Sequence, residues 1–572
     1  MRNGEIAEAF EELASLYELD GAVVYRVVAY RNAAKAIREA GVSVAELTKQ
    51  GRVTELAGVG KTIEEKINAL LDTGSIPSAD KLKQRIPSGL VEITRIPGLG
   101  PKRAKLLHDE LGVASIDELR EAAETGRLKD VKGFGTKAEE NVLAAFAAGA
   151  DGRPKARMLL SKALPVAEEL VAALRDHPAA IRVELAGSAR RLADTVKDVD
   201  IVAASSDPAA LSKAFAGLEA LETVSTSGEA GAKAVTHTGL PVDLRIVPEE
   251  AFGNLLQHFT GSGKHNEALR TEAVRRGLHV SEYGIADDES GGSEAFTTEE
   301  EVYERLGMQY IPPELRENRG ELEAARARRL PELIELGDIR GDLHMHTTLS
   351  DGHASVEEMA EAARELGHEY IAITDHSATH GFGNDVQPGA LLARMEEIRS
   401  LPDLGIQVLA GTETNVLPDG SLDYRDDVLE QLDWVVASLH TSFRLSEKKQ
   451  TERMLRAMEH PLVDAIGHPT GRLIESREPY PLDVDRVIAK AVETGTFLEI
   501  NANPDRRDLN DVYARAASEA GVMIVVNSDA HWPRTLANMR YGVATARRAW
   551  LTAERVANTR PWKELDKLRK RS

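Results

Sequence analysis

Asp342-Leu-His-Met-His-Thr-Thr-Leu-Ser-Asp-Gly352 ends a short apolar run with two histidines one residue apart and an aspartate five positions on. Metal-ligand residues then recur along the chain: Asp375-His376, Glu413, His440, Gly467-His468-Pro469 and Asp529-Ala-His531. They come with runs of strand type, namely Ile371-Ala-Ile-Thr, Gln407-Val-Leu-Ala, Trp434-Val-Val-Ala, Val463-Asp-Ala-Ile, Phe497-Leu-Glu-Ile and Met523-Ile-Val-Val. Ten of the 16 histidines fall between residues 344 and 531. Ligands repeatedly placed where strands end are what a barrel-type α/β domain needs to gather distant residues into one pocket. This part of the chain therefore reads as a metal-dependent hydrolase.

The ligand types narrow the metal. Imidazoles mixed with carboxylates, and no thiolate, suit Zn²⁺, Mn²⁺ or Fe²⁺ better than Mg²⁺ or Ca²⁺. They are too many for one ion, and two or three metals together can polarise a phosphoryl oxygen and activate the water that attacks it. His353, His368, His380 and His460 lack the strand-end setting and read as ordinary core or surface residues.

The motifs Asp342–Gly352, Thr374-Asp-His376, Ala437-Ser-Leu-His440, Gly467-His-Pro469 and Ser528-Asp-Ala-His531 resemble, in order, those of the PHP (polymerase and histidinol phosphatase) family. The resemblance implies a distorted (β/α)₇ barrel with a trinuclear metal site. Its nine ligands would be His344, His346, Asp351, His376, Glu413, His440, His468, Asp529 and His531, all filled here, with Asp375 orienting a neighbouring ligand.

At 572 residues the chain is too long for one core and should hold three or four domains. The absence of cysteine excludes disulfides, iron–sulfur clusters and cysteine-based zinc fingers, and fits a reducing cytoplasm. No apolar signal region opens the chain and no 18-residue apolar run is present, so a soluble cytoplasmic protein without membrane association is expected. The net charge of −22 argues against nucleic acid, but residues 1–150 hold 21 Lys and Arg against 23 Asp and Glu, a net of only −2. Local patches decide DNA binding, so modest, salt-sensitive affinity is expected.

Those first 150 residues read as helices, punctuated by Leu56-Ala-Gly58-Val-Gly60-Lys-Thr, Ile96-Pro-Gly98-Leu-Gly100-Pro-Lys and Val131-Lys-Gly133-Phe-Gly135-Thr-Lys. Each turn is led in by an apolar residue and followed by a helix with a basic residue, a pattern that resembles the helix-hairpin-helix motif. Its glycines let the backbone approach a phosphate while the next helix's amides bond it, blind to base sequence. A nucleotide-binding P-loop at Gly60-Lys-Thr is rejected, because Glu55 stands where a glycine is needed.

Between them and the barrel lies a second chemistry. Ile181-Arg-Val-Glu-Leu-Ala-Gly-Ser188 reads as a strand entering a turn, and Lys197-Asp-Val-Asp-Ile-Val202 as another strand. Residues i and i+2 share a face, so Asp198 and Asp200 present paired carboxylates, with Asp243 in Pro241-Val-Asp-Leu-Arg-Ile-Val247 a third. Three such groups can hold two Mg²⁺ ions, while Gly187-Ser188 and Arg190-Arg191 supply amides, a hydroxyl and guanidinium groups for phosphates.

Gly187-Ser-Ala-Arg-Arg191, Asp198-Val-Asp200, Val242-Asp-Leu-Arg245 and Phe259-Thr-Gly-Ser262 together resemble family X DNA polymerases, over about residues 5–317. That resemblance implies catalytic metals, Mg²⁺ or Mn²⁺, on Asp198, Asp200 and Asp243, and the triphosphate on Gly187, Ser188 and Arg191. Phe259 and Gly261 would line the sugar pocket, with Asn266 and Arg270 at the nascent base pair. The chain departs from the family at Leu192, where glycine is usual, at Lys197, where a small residue is usual, and at His258, an aromatic position used in sugar discrimination. At the N-terminus Tyr30 would contact DNA, and Lys66 holds the place of the Schiff-base lysine of the family's lyase domain. Its alternative is a solvated helix lysine beside Glu64 and Glu65.

The expected organisation is thus a lyase-type helical domain with the first hairpin (1–84), a helical DNA-binding domain with the other two (85–150), an α+β nucleotidyltransferase palm (151–250) and a nascent-base-pair subdomain (251–317). A charged linker (318–337) and the PHP barrel (338–572) follow. The acidic stretch Asp287-Asp-Glu-Ser-Gly-Gly-Ser-Glu294 reads as a surface loop. The function expected is gap-filling polymerisation joined to 3′→5′ exonuclease, with 3′-phosphatase or abasic-site endonuclease as further activities open to the barrel, and with gapped or primer-template DNA and dNTPs as partners of a monomer. The alternative is a PHP nuclease or phosphatase whose other half only grips DNA ends.

Overall fold

The computed structural model describes residues 1–94, 96, 99–131, 134–147, 157–381 and 384–570. The chain divides into two compact units, one of Met1–Met158, Pro165–Leu185 and Lys197–Glu249, the other of Leu159–Leu164, Ala186–Val196 and Glu250–Ser572.

The first unit opens with helices around one apolar cluster that runs from Ile6 to Val142. Helix Lys61–Thr73 shows how its sequence makes it: Ile63, Ile67 and Leu70, spaced by a helical turn, are buried, and Gly74 (φ 75°) ends it in the left-handed conformation glycine tolerates. The same unit holds a mixed five-stranded sheet of β1 (Ala180–Leu185), β2 (Val199–Ser205), β3 (Leu221–Gly228), β4 (Gly231–Thr236) and β5 (Pro241–Val247), in the order β1-β2-β5-β4-β3. Only β2 and β5 run parallel, with Asp200 opposite Asp243.

In the second unit, helices Phe252–Thr260 and Gly263–Val274 lead to a three-stranded antiparallel sheet, Leu278–Ser281, Gly284–Asp287 and Ser293–Glu294. The acidic stretch expected as a loop is therefore the turn of a hairpin, in which Ser293 and Glu294 pair with Ala286 and Ile285. Within the charged linker a helix covers only Glu321–Arg326, and Glu321 itself is buried against His265 (Oε1 to Nδ1 2.7 Å).

The rest of this unit is a seven-stranded parallel sheet of β6 (Gly341–Met345), β7 (Tyr370–Ile373), β8 (Gln407–Asn415), β9 (Trp434–Ser438), β10 (Ala465–Ile466), β11 (Phe497–Asn501) and β12 (Ile524–Asn527), paired in chain order. Bonds from Asp529 N to His344 O and from His346 N to Ala530 O, both 2.9 Å, bring its edges together into the expected distorted barrel. Ile371, Ile373, Val435, Leu498, Ile500 and Val526 pack on helices such as Val356–Glu365, whose start is fixed by a Ser355–Glu358 capping box. The alternate residues Ala372, Trp434, Val436 and Val525 form a separate cluster on the other face with Leu565. Strands buried on both faces explain the near-continuous apolar runs in the sequence. Among the described residues no helix is long and apolar enough to cross a membrane.

His368, between helix Val356–Glu365 and β7, is buried with its Nδ1 making no hydrogen bond among the described residues. Burial pushes its pKa from 6.5 down to about 4. The folded chain then binds fewer protons than the unfolded chain below pH 6.5, so stability is lost as the pH falls from 6.5 to 4, by up to about 3 kcal/mol. His368→Gln is expected to remove that part of the acid sensitivity, seen as a flatter dependence of thermal unfolding on pH over this window.

Candidate functional site

The nine residues expected as barrel ligands converge at the C-terminal ends of the strands. His344 lies in β6 and His346 just beyond it; Glu413 lies near the end of β8; His376, His440, His468 and Asp529 lie two or three residues past β7, β9, β10 and β12. Glu413 is the hub. Its Oε1 is 3.0 Å from His468 Nε2 and 3.1 Å from His440 Nε2, and its Oε2 is 2.8 Å from His376 Nδ1 and 3.4 Å from His344 Nε2. Asp529 Oδ1 lies 3.1 Å from His346 Nε2 and 3.7 Å from His344 Nε2. Asp351 Oδ1 lies 3.3 Å from His531 Nε2 and 3.6 Å from His376 Nε2.

This closeness needs special backbone. A Cβ on Gly467 would stand 2.4 Å from Ser438 Oγ and 3.3 Å from His344 Cε1, so glycine is required ahead of His468. His468 (φ 29°) and Asp529 (φ 54°) both take left-handed conformations, local strain of the kind found where a site over-determines its residues.

The donor set fits divalent cations. Three overlapping groups, His346-Asp351-His376-His531, His344-His346-Asp529 and His376-Glu413-His440, each bring their ligand atoms within 4.8 Å of one another. Among the described residues, His344 Nε2, His346 Nδ1 and both Glu413 oxygens are buried without a hydrogen bond, as expected of atoms that share a cation. Burial, with His531 and His376 beside it, pushes the pKa of His346 down to about 3, which keeps the imidazole neutral and able to ligate. Burial works against ionised Glu413 and Asp529, but the surrounding histidines outweigh it and hold both carboxyls well below their usual range.

The first unit holds the other carboxylates. Asp200 and Asp243 face each other across parallel β2 and β5, and Asp198 lies two residues before Asp200. Asp243 is also held by Arg245 (Nε to Oδ1 3.1 Å) and Lys233 (Nζ to Oδ2 3.5 Å). Among the described residues only barrel side chains form groups with all ligand atoms within 4.8 Å, so these three acids are less tightly drawn together.

The hairpin turns share one geometry. Val59, Leu99 and Phe134, the middle residues of the Gly-x-Gly triplets, are buried and donate to the carbonyls of Leu56, Ile96 and Val131 at 3.0, 2.9 and 2.9 Å. Gly60, Gly100 and Gly135 then precede helices, and a Cβ on any of them would meet nothing within 4 Å, so the helix starts stand open. Gly58 (φ 87°) needs its left-handed conformation, while Gly98 and Gly133 lie outside the described residues. Lys66 is half-buried, its Nζ 5.9 Å from the ring centre of Tyr30. Tyr30 sits in the helical core, stacked on Tyr17 at 5.4 Å, and offers little surface to DNA.

In the second unit, Gly187 (φ 64°) and Ser188 open the short helix Gly187–Arg190. Arg191 donates to Thr260 O (2.6 Å) and pairs with Glu317 (3.2 Å), and its Nη1 lies 3.3 Å from where a Cβ on Gly261 would be. His258 ties the rest together: its ring packs on Phe259 at 5.4 Å, its carbonyl accepts from Asn266 (2.7 Å), and its Nδ1 accepts from Arg270 (2.9 Å). Barrel arginines fix the segment that follows. Arg548 and Arg507 donate to the carbonyls of Arg191 and Leu192 at 2.9 and 3.0 Å, and Arg472 and Arg507 pair with Asp194 at 2.9 and 3.2 Å. Leu192, where the family uses glycine, takes φ 54° and so carries strain that glycine would not.

Four family descriptions match: a helix-hairpin-helix domain at residues 1–76, a SAM-like helix-hairpin-helix tandem at 90–148, a DNA polymerase beta thumb at 255–317 and a PHP domain at 342–503. The DNA polymerase/3′-5′ exonuclease PolX of Bacillus subtilis (strain 168) is 38% identical over 576 residues, covering all of both chains. The chain belongs to the PolX family, family X DNA polymerases with a C-terminal PHP domain. A probable phosphatase of Thermoanaerobacter sp. (strain X514) is 33% identical over 232 residues, 38% of this chain and 89% of the relative. One of Shewanella sediminis is 32% identical over 242 residues, 40% of this chain and 94% of the relative. Each of these matches spans about two fifths of this chain.

Several residues of this PHP site escape a reading of the sequence. Glu499, in β11, accepts from His344 Nδ1 (2.7 Å), His468 N (2.7 Å), Asn527 Nδ2 (2.9 Å) and Asn501 Nδ2 (3.1 Å). Asn501 also donates to Asp529 (3.1 Å), and Arg506 reaches within 3.6 Å of the same carboxylate. An acid inside the apolar run Phe497-Leu-Glu-Ile was the one available signal for Glu499. Asp375 accepts from Thr347 and Ser350, fixing the loop that carries Asp351, one of the expected ligands. His380, set aside on sequence, packs its ring on that of His376 at 4.6 Å. Because Glu499 fixes the tautomer and orientation of His344, Glu499→Gln is expected to weaken metal retention by about 10–100-fold, read by competition with a chelator.

Proposed function

We propose that this chain is a template-directed DNA polymerase for gap-filling repair whose barrel is a metal-dependent 3′→5′ exonuclease. The Glu413-centred imidazole cluster carries the reading, in a chain that aligns from end to end with a DNA polymerase/3′-5′ exonuclease. Divalent cations, Mg²⁺ or Mn²⁺ on Asp198, Asp200 and Asp243 and two or three Mn²⁺, Zn²⁺ or Fe²⁺ on the nine barrel ligands, would supply Lewis-acid polarisation of phosphoryl oxygens and of the attacking groups. Ser188 and Arg191 would hold the dNTP triphosphate, Phe259 and Gly261 its sugar, and Asn266 and Arg270 the new base pair. Positioning of this kind is most of what phosphoryl transfer asks of a protein. In the barrel, Arg506 would neutralise a phosphate oxygen as the ester is cut.

The domains serve these steps. Residues 1–84 and 85–150 would grip the phosphates of gapped or primer-template DNA through the open helix starts after Gly60, Gly100 and Gly135, and Lys66 would serve as a lyase nucleophile. Residues 151–250 and 251–317 would add dNMPs, and 338–572, after the linker at 318–337, would trim the 3′ end. The chain would act as a monomer in the cytoplasm. Similarity of about two fifths of this chain to probable phosphatases favours removal of a 3′-phosphate as a second activity of the barrel centre.

A duplex with a one-nucleotide gap tests the reading. With dNTPs and Mg²⁺ or Mn²⁺ the primer should gain one nucleotide, and with Mn²⁺ and no dNTPs it should shorten from its 3′ end. A primer unchanged in both reactions would overturn it.

A further inference from the structure

We propose that His353, Trp532 and Arg534 form a stacking platform for an unpaired nucleobase of the 3′ strand, at the mouth of the barrel's metal centre. The platform rests on the hydrolytic reading of that centre and gives it a substrate subsite. Trp532 directly follows the ligand His531, and at 37% exposure it is the only tryptophan among the described residues on the open surface. The ring of His353 stacks on it at 4.0 Å and 24°, and the guanidinium carbon of Arg534 lies 4.4 Å from its ring centre. Imidazole, indole and guanidinium thus build one exposed π ladder.

Its place is what points to the substrate. Most of the nine ligands are buried, but the side chains of Asp351 and His531 keep 23% and 29% of their surface, so the centre opens on their side. The platform is fastened to that opening. His353 N donates to His531 O at 2.9 Å, and the Thr535 hydroxyl bonds both the N–H and the carbonyl of Trp532, at 3.2 and 2.7 Å. A group seated on the ladder is therefore held in fixed relation to the ligand His531 through two backbone links.

The chemistry of the ladder selects a nucleotide. Bases stack on indole, imidazole and guanidinium planes whatever their sequence, because every base has a π face. Arg534 adds a cation for the backbone phosphate, and among the described residues no acid lies within ion-pair distance of it, although the chain carries a net charge of −22. A peptide or a lipid would not need this combination beside a phosphoester-cleaving centre. A 3′ strand does.

Steady-state cleavage by the full chain with Mn²⁺ tests the platform on two oligonucleotides, one ordinary and one whose last three 3′ residues are abasic tetrahydrofuran units. Trp532→Ala should raise KM for the ordinary strand about tenfold at unchanged kcat, the loss of one base stack, and change KM for the abasic strand by less than about twofold. Trp532→Phe should keep most of the difference between the two strands, and Arg534→Ala should raise KM for both by a few-fold and weaken its salt dependence. An equal fall in kcat on both strands in Trp532→Ala, or an unchanged KM on the ordinary one, would overturn the proposal by making Trp532 a mere support for His531. Quenching of tryptophan emission by the ordinary oligonucleotide, expected in the parent and lost in Trp532→Phe, reads the stack without hydrolysis. Quenching without cleavage would sink the hydrolytic reading and leave the platform standing; equal quenching in Trp532→Phe would sink the platform alone.

Discussion

Glu413→Gln is expected to lower Mn²⁺-dependent shortening of a 3′ end by at least about 10³-fold while leaving primer extension within about twofold of the parent chain. The substitution keeps the shape of the side chain and removes its charge. In the folded chain both Glu413 oxygens lie among the ring nitrogens of His344, His376, His440 and His468, at 2.8 to 3.4 Å. The amide that replaces the carboxylate can offer a cation only one neutral oxygen, and its NH₂ group points a donor at nitrogens that must themselves act as ligands. A cation lost or displaced there removes several kcal/mol of charge stabilisation, and each 1.36 kcal/mol is a factor of ten in rate. Extension survives because the carboxylates assigned to it lie on β2 and β5 and just before β2, in the other compact unit. Nuclease activity retained at more than a tenth of the parent's would show that the centre has been misassigned.

The barrel was legible because parallel strands buried on both faces must be continuous apolar runs, and a chain that cuts esters at strand ends must put its ligands directly after them. The residues expected as ligands, from His344 to His531, are brought together through the shared carboxylates Glu413, Asp529 and Asp351. Glu499 was hidden by the same logic: it stands inside β11, where an acid looks like a flaw in an apolar strand, and only the fold reveals that it orients His344. Arg506 lies in a loop whose approach to Asp529 depends on closure of the barrel, as does the grip of Arg507 on Asp194, more than 300 residues away in sequence. In the mixed sheet, the strand expected over 197–202 begins only at Val199, so Asp200 lies on β2 and Asp198 just before it. The alignment of Asp200 with Asp243, and of Lys233 beside Asp243, is a matter of register between strands that local sequence does not encode. The acidic run at 287–294 holds the exposed turn that its Gly-Gly and Ser mark, but those residues do not say that strands flank it.

Asp243→Asn should reduce nucleotide incorporation on a gapped duplex by at least about 10³-fold, with 3′→5′ shortening and DNA affinity kept within about twofold. Asp198→Ala should match it. The two acids enter the site differently, Asp198 from the approach to β2 and Asp243 from β5, where it faces Asp200 across the parallel pair. Asparagine keeps the volume and one acceptor oxygen but loses the charge that balances Arg245 and Lys233, 3.1 and 3.5 Å away. Two cations would then face a divalent metal with one fewer anion between them, and both repulsion and the lost ligand act against loading. Raising Mn²⁺ should recover part of the rate in Asp243→Asn and less in Asp198→Ala, where no oxygen remains. Incorporation by both variants at the parent rate would remove the polymerase assignment from these carboxylates, and with it the reading of the β2–β5 face as the place where the new bond is made.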